Sequence, residues 1–294
     1  MRFTKIKAAV AVAGLALSLT ACGGDDGGGS DTEVASDTDF ESGTTMADIA
    51  ERGTVTIGTK FDQPGFGLKN LEGDPEGFDV EVGKIIAGAL GIAEDDIEWK
   101  ETPSDVREQV IEDGEVDFVV ATYTINDERK ERISFAGPYY EAGQMLMVMS
   151  DNDAITAPED LKANPDAKVC SVTGSTPGEN IKQYLASEDQ LVLFDVYDKC
   201  ADALSNGQVD VVTTDNVILA GFVGESDGEF KLVGDQFTEE PYGIGITKGD
   251  TDFCEFINDT LADNEDAYTT AWEETAGQVE GTETPTLPEP DPCA

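Results

Sequence analysis

Positive charge is scarce in this chain, and its positions are the first clue to chemistry. The 294 residues include 62 Asp or Glu against 18 Lys or Arg, a formal net charge of −44, with no histidine. Once a basic leader at residues 1–21 is set aside, four arginines remain: Arg52, Arg107, Arg129 and Arg132. On an exposed helix in so acidic a chain, an arginine ordinarily has a carboxylate three or four positions away. Arg107 has Pro103, Ser104, Val110 and Ile111 at those spacings, and Arg129 has Ile125, Asn126, Arg132 and Ile133. Both are therefore expected to point inward without a local partner. A long-range structural salt bridge is one reading of them. The other is an external anion, because the planar guanidinium fork takes a carboxylate through two parallel hydrogen bonds.

Other polar residues fall where such an anion would lie. Arg129 follows an apolar strand pattern at residues 116–122, and extended alternation beyond it would put the Thr122 and Thr124 hydroxyls on one side. Thr173, Gly174, Ser175 and Thr176 follow a second strand and open a helix, which presents backbone N–H groups and hydroxyls to an anion or, equally, caps the helix. Asp215 closes a strand at 209–213 and begins a helix; it is either a cap or a receptor for an ammonium group. Together these groups describe a zwitterion with an extra negative charge: Arg129 and hydroxyls for one carboxylate, Asp215 for an amine, Arg107 for a second carboxylate.

The composition excludes much else. Without histidine there is no Ser-His or Cys-His nucleophile pair and no His-ligated metal. The acidic balance argues against nucleic acid and against an anionic membrane face. No GxxxxGK[ST] motif occurs, Gly65 to Asn70 lacks the last glycine of a dinucleotide fingerprint, and Thr156 stands where a calcium loop starting at Asp151 needs glycine. Among so many acids no pair can be nominated as a catalytic dyad. No metal, no cofactor and no enzymatic activity are expected.

The elements that must hold these groups alternate. Strand patterns at 54–59, 97–100, 116–122, 169–172, 191–196 and 209–213 are interleaved with helical patterns at 78–90, 104–113 (with Ser104 as cap), 178–187, 199–206 and 216–222. Such alternation implies parallel sheets covered by helices, here in two α/β units, with extended runs at 144–149 and 239–247 passing between them. Ahead of them, residues 1–21 carry a basic n-region and a short apolar stretch ending in LTAC, which resembles a bacterial lipobox with Cys22 as the lipidated residue. Residues 22–45 read as the lipidated cysteine and a flexible acidic linker, and residues 281–294 as a Pro-rich extended tail. The remaining Cys170, Cys200, Cys254 and Cys293 suggest two disulfides in an exported protein, with three connectivities open; Cys170 with Cys200 and Cys254 with Cys293 is favoured because each pair falls within one unit.

The stretches GFDVEVGKIIA (77–87), VDFVVATYTINDER (116–129), ISFAGPYY (133–140), VCSVTGST (169–176) and DVVTTD (210–215) resemble the family 3 extracellular solute-binding proteins of polar amino acid ABC transporters, over about residues 46–275. GTKFDQPG (58–65) and ETPSDVRE (101–108) are most similar to the glutamate-binding lipoproteins of Gram-positive actinobacteria. The resemblance implies an α/β periplasmic-binding-protein-like fold (type II): lobe 1 from residues 46–143 and 242–280, lobe 2 from 144–241, joined by two crossover strands and closing by a hinge. It implies that Thr122, Thr124 and Arg129, helped by Ser175 or Thr176, hold a ligand α-carboxylate, and that Asp215 receives the α-amino group. Arg107 with Ser104 one turn earlier, and Lys60, match positions facing a side-chain carboxylate, with Phe61 and Tyr123 as pocket walls. The expected protein is a monomeric lipoprotein, anchored by Cys22 to the outer face of the cell membrane, that delivers glutamate or a related polar amino acid to an ABC permease. Two competing readings share the pocket: a sensor read by a membrane receptor, and an enzyme on the same fold. The second is weakened because no carboxylate is evidently isolated in an apolar setting.

Overall fold

The computed structural model describes residues 34–36, 38–279 and 282–294. The expected leader and Cys22 lie outside the described residues. In chain order the strands are β1 (Val55–Thr59), β2 (Asp62–Gln63), β3 (Gly67–Lys69), β4 (Pro75–Glu76), β5 (Ile97–Glu101), β6 (Phe118–Val119), β7 (Ser134–Ala142), β8 (Gln144–Met149), β9 (Val169–Val172), β10 (Leu191–Phe194), β11 (Val211–Asp215), β12 (Phe230–Val233) and β13 (Glu240–Ile246).

Two five-stranded sheets share one plan. The first is ordered β5-β1-β6-β13-β7 and the second β10-β9-β11-β8-β12. In each, three strands run parallel (β5, β1, β6; β10, β9, β11) and the last two are antiparallel to their neighbours. Period-2 alternation explains why both faces are covered. In the first sheet Phe118 and Val120 enter one apolar cluster while Val119 and Ala121 enter another. In the second, Cys170 and Val172 face one side and Val169 the other. The helices Phe78–Ala89 and Thr251–Asp263 pack on the first sheet, Glu265–Glu274 packs on Phe78–Ala89 and stacks Trp272 on Tyr140 of β7, and Tyr197–Ser205 and Asn216–Glu225 pack on the second sheet.

The chain passes between the lobes twice, at Gly143 between β7 and β8 and at residues 234–239 between β12 and β13. The two passages are hydrogen-bonded together, Gln144 N donating to Thr238 Oγ1 (3.1 Å) and Phe237 N to the Gln144 carbonyl (3.0 Å). They run so close that a Cβ on Gly143 would fall 2.7 Å from the Thr238 carbonyl oxygen, which only glycine tolerates.

Both favoured disulfides are present, Cys170–Cys200 and Cys254–Cys293. The first ties β9 to the helix Tyr197–Ser205. The second ties the helix Thr251–Asp263 to the C-terminal segment.

Several local expectations are corrected. The predicted linker is not free over its second half: Ala35 N donates to the Gly88 carbonyl (2.9 Å), and Phe40 packs edge-on against Phe256 at 5.6 Å. One aromatic supplies the apolar surface that the segment's composition otherwise lacks. The tail at 282–294 has no regular structure but is held along lobe 1 by its disulfide, by Leu287 against the core, and by Asp291 N donating to the Gly137 carbonyl (2.7 Å). The helix expected at 104–113 is Arg107–Glu112 and lacks a side-chain cap, so Ser104 lies in the preceding turn. The helix expected at 178–187 is the shorter Thr176–Asn180 followed by a 3₁₀ turn, Ile181–Tyr184.

Candidate functional site

In both lobes the carboxyl ends of the parallel strands point at the junction between lobes, where open α/β sheets gather ligand-binding residues. Lys60 follows β1, Thr122 and Thr124 follow β6, and the loop leading to the helix Arg107–Glu112 follows β5. From the other lobe, residues 173–176 follow β9 and Asp215 ends β11. The lobes touch here. Arg129 Nη2 donates to the Gly174 carbonyl (3.1 Å), Thr176 Oγ1 lies 3.1 Å from Thr124 Oγ1, and Tyr197 N donates to Asp62 Oδ2 (2.6 Å). Gly174, at φ +76°, comes so near that a Cβ would sit 2.7 Å from the Asp105 Cα.

Three cations are buried together. Arg107 is 2% exposed, lies 4.0 Å from the Tyr123 ring, donates from Nη1 to the Ala121 carbonyl (2.8 Å) and leaves Nε unpartnered. Among the described residues it has no carboxylate within salt-bridge distance, as its sequence neighbours suggested. Arg129 lies 5.0 Å from the same ring. It does have a distant partner, Glu108 Oε1 at 3.2 Å from Nε, and its Nη1 donates to the Thr124 carbonyl (2.6 Å). The structural salt bridge thus describes Arg129 in part, and the partner is 21 positions away in sequence. Lys60, fully enclosed, donates to Ser104 Oγ (2.8 Å). Burial, followed by the repulsion of Arg107, pushes its pKa down to about 7. Burial and Arg107 likewise lower Arg129 to about 10.

The anions are enclosed as well. Asp215 stands at the first position before the helix Asn216–Glu225 but makes no capping bond. Its Oδ2 accepts from the Tyr242 hydroxyl (2.7 Å) and its Oδ1 has no partner. Burial and then the charge of Glu240 push its pKa up to about 8. Asp79 accepts from Thr122 N (2.7 Å) and the Tyr139 hydroxyl (2.6 Å), and burial raises it to about 7. Carboxylates in enclosed settings therefore exist, contrary to the sequence reading. Ser175 behaves as a cap, its Oγ accepting from Gly178 N (3.0 Å) and lying 2.9 Å from the Val172 carbonyl.

The expected alternation of Thr122 and Thr124 does not hold. The strand ends at Val119 and Thr122 takes φ +45°, a left-handed conformation that Asp79 holds through the backbone N–H. The Thr122 hydroxyl faces Gln63 Oε1 (3.0 Å) and the Ala121 carbonyl (2.8 Å). Phe61 is only half-buried, under Lys69 Nζ at 4.9 Å, whereas Tyr123 is fully buried between the two arginines. A cleft of about 500 Å³ is lined by Ser104, Glu108, Arg129, Gly174, Thr176 and Asn180 among others, while Lys60, Arg107 and Asp215 are not part of its lining. Asp79, Glu108, Gln63 and Glu240 were not singled out from sequence. Asp79 carried a usable signal, an acid set between Phe78 and Val80 on the buried side of the helix Phe78–Ala89.

The raised Asp215 pKa has a consequence for stability. A carboxyl that titrates near 8 when folded and near 3.8 when unfolded contributes stability that is full below about pH 4 and is lost as pH rises through about 8. Asp215→Asn keeps an acceptor for Tyr242 and abolishes the titration. Relative to wild type, ligand-free D215N should gain unfolding free energy steadily between pH 4 and 8, measured by urea denaturation. A difference independent of pH would refute the assignment.

A two-lobed α/β body with buried cations and carboxylates converging from both lobes is a cleft-binding protein for a small charged ligand. Residues 55–271 match the bacterial extracellular solute-binding proteins, family 3, and the chain belongs to that family. It is 43% identical over 271 residues to the glutamate-binding protein GluB of Corynebacterium efficiens, spanning 88% of this chain and 85% of that one. It is 37% identical to the ABC transporter glutamine-binding protein GlnH of Bacillus subtilis (strain 168), over 83% of this chain and 85% of that one. Among solved structures, an ancestral arginine-binding protein bound to glutamine superposes with a TM-score of 0.70 at 35% identity, covering 76% of this chain and 98% of that one.

Proposed function

We propose that this protein captures glutamate between its lobes and delivers it to an ABC permease. The observation that carries the acidic preference is Arg107, a buried guanidinium with no carboxylate within salt-bridge distance among the described residues, set beside Lys60 and across Tyr123 from Arg129. A neutral side chain would leave that charge uncompensated, at a cost of several kcal/mol. The α-carboxylate falls to Arg129 with Thr122, Thr124 and Thr176, and Ser175 shapes the turn by capping. Asp215 takes the α-ammonium. Arg107, Ser104 and Lys60 face the side-chain carboxylate. Similarity to glutamate- and glutamine-binding relatives supports the same ligand class. The proposal includes export under the signal at residues 1–21, lipidation at Cys22, and a monomer at work on the outer face of the cell membrane. Lobe 1 comprises 46–143 and 242–280, and lobe 2 comprises 144–241.

Calorimetric titration of the purified protein with the twenty amino acids tests the reading. Glutamate should bind one to one and more tightly than aspartate, asparagine and glutamine. Tighter binding of glutamine, or of any cationic amino acid, would overturn it.

A further inference from the structure

Glu240 opens β13 at the second passage between lobes and is 1% exposed. Its Oε1 accepts from Asn180 Nδ2 (3.1 Å) and Thr238 Oγ1 (2.9 Å), while Oε2 is buried without a partner. Among the described residues no lysine or arginine lies within 4.0 Å of this carboxylate. Two residues along the strand, on the same face, Tyr242 donates to Asp215, whose own Oδ1 is also buried and unpartnered. After burial, the charge of Glu240 is the largest influence raising the Asp215 pKa, so the two carboxylates sense each other. Two acids from different parts of the chain thus sense each other, each with an unpartnered oxygen and, among the described residues, neither with a lysine or arginine within 4.0 Å; the charge of Arg129 reaches both only from farther away. A buried carboxylate in that position is costly unless a cation meets it.

We propose that Glu240 is a second ligand-binding carboxylate, sharing the α-ammonium of the bound amino acid with Asp215. An ammonium has three donors in a tripod, which suits acceptors arriving from two elements better than one carboxylate alone. The inference rests on the amino acid reading above, and it adds a contact that is absent from the sequence motifs. Closure around an amino acid would then draw the crossover strand and β11 toward the same positive charge.

The test is Glu240→Gln, which keeps the acceptor for Asn180 and Thr238 and removes the charge. Glutamate affinity should fall about tenfold or more, whereas affinity for glutarate, the same diacid without the amine, should be unchanged or improved. Ligand-free E240Q should melt at a higher temperature than wild type, because a buried unpaired charge has gone, and its melting temperature should rise less on adding glutamate. Equal losses for glutamate and glutarate, or an unchanged glutamate affinity, would overturn the proposal, as would a lower ligand-free melting temperature with the full glutamate-induced rise. Failure of the wild-type protein to bind glutamate would instead count against the functional reading itself.

Discussion

Replacing Arg129 by lysine is expected to weaken glutamate binding by at least about a hundredfold. The guanidinium has five N–H donors. Nη1 and Nη2 each donate once, to the Thr124 and Gly174 carbonyls, and Nε stands 3.2 Å from Glu108 Oε1 as an ion pair. One N–H therefore remains on each terminal nitrogen, the pair that a carboxylate takes as a fork. Each charge-assisted bond contributes on the order of 1.5–3 kcal/mol, so two are together equivalent to roughly two to four orders of magnitude in affinity. Lysine keeps the charge beside Glu108 but brings its donors from a single point and cannot form the fork. Alanine is the poorer test, since it would strand Glu108 in a half-dry setting and confuse folding with binding. Calorimetry on R129K decides the matter: binding within threefold of wild type would remove Arg129 from the site.

Arg107→Met should separate glutamate from glutamine. Methionine retains packing on Tyr123, so the structural part of the side chain is largely preserved. Glutamate should lose about tenfold to a hundredfold, and glutamine less than about threefold, because only the former needs a second cation. One compensation limits the effect. Arg107 is the charge that most strongly opposes protonation of Lys60, so its loss returns a proton to Lys60 and restores part of the positive field. The double variant with Lys60→Met should accordingly lose more glutamate affinity than the two single losses suggest. Parallel titrations with both ligands check this; equal losses for glutamate and glutamine would sink the side-chain role of Arg107.

Much of the architecture was legible because it is written in short-range periodicity. The run at 144–149 coincides with β8, and the strand at 191–196 and the helix at 78–90 differ from Leu191–Phe194 and Phe78–Ala89 by one or two end residues. The misses occur where a tertiary contact overrides local pattern. Residues 116–122, mostly apolar, read as one strand, yet its paired register ends at Val119, and Asp79 holds the Thr122 N–H where the backbone turns into the left-handed region. Ser104 has the chemistry of a cap, yet it receives the Lys60 ammonium instead.

The sequence by itself determined the alternating α/β class and the inward direction of Arg107 and Arg129 from the lack of helical acid neighbours; it favoured one cysteine pairing of three, and the structure settled it. Only the tertiary structure decided which of 62 acids matter. Glu108 meets Arg129 across 21 positions, Asp79 meets Thr122 across 43, and Asp215 meets Tyr242 across 27. The reason is physical. Helical and strand periods are set by neighbours along the chain, whereas the energy of a carboxylate depends on how much water it has lost and which charges face it through space.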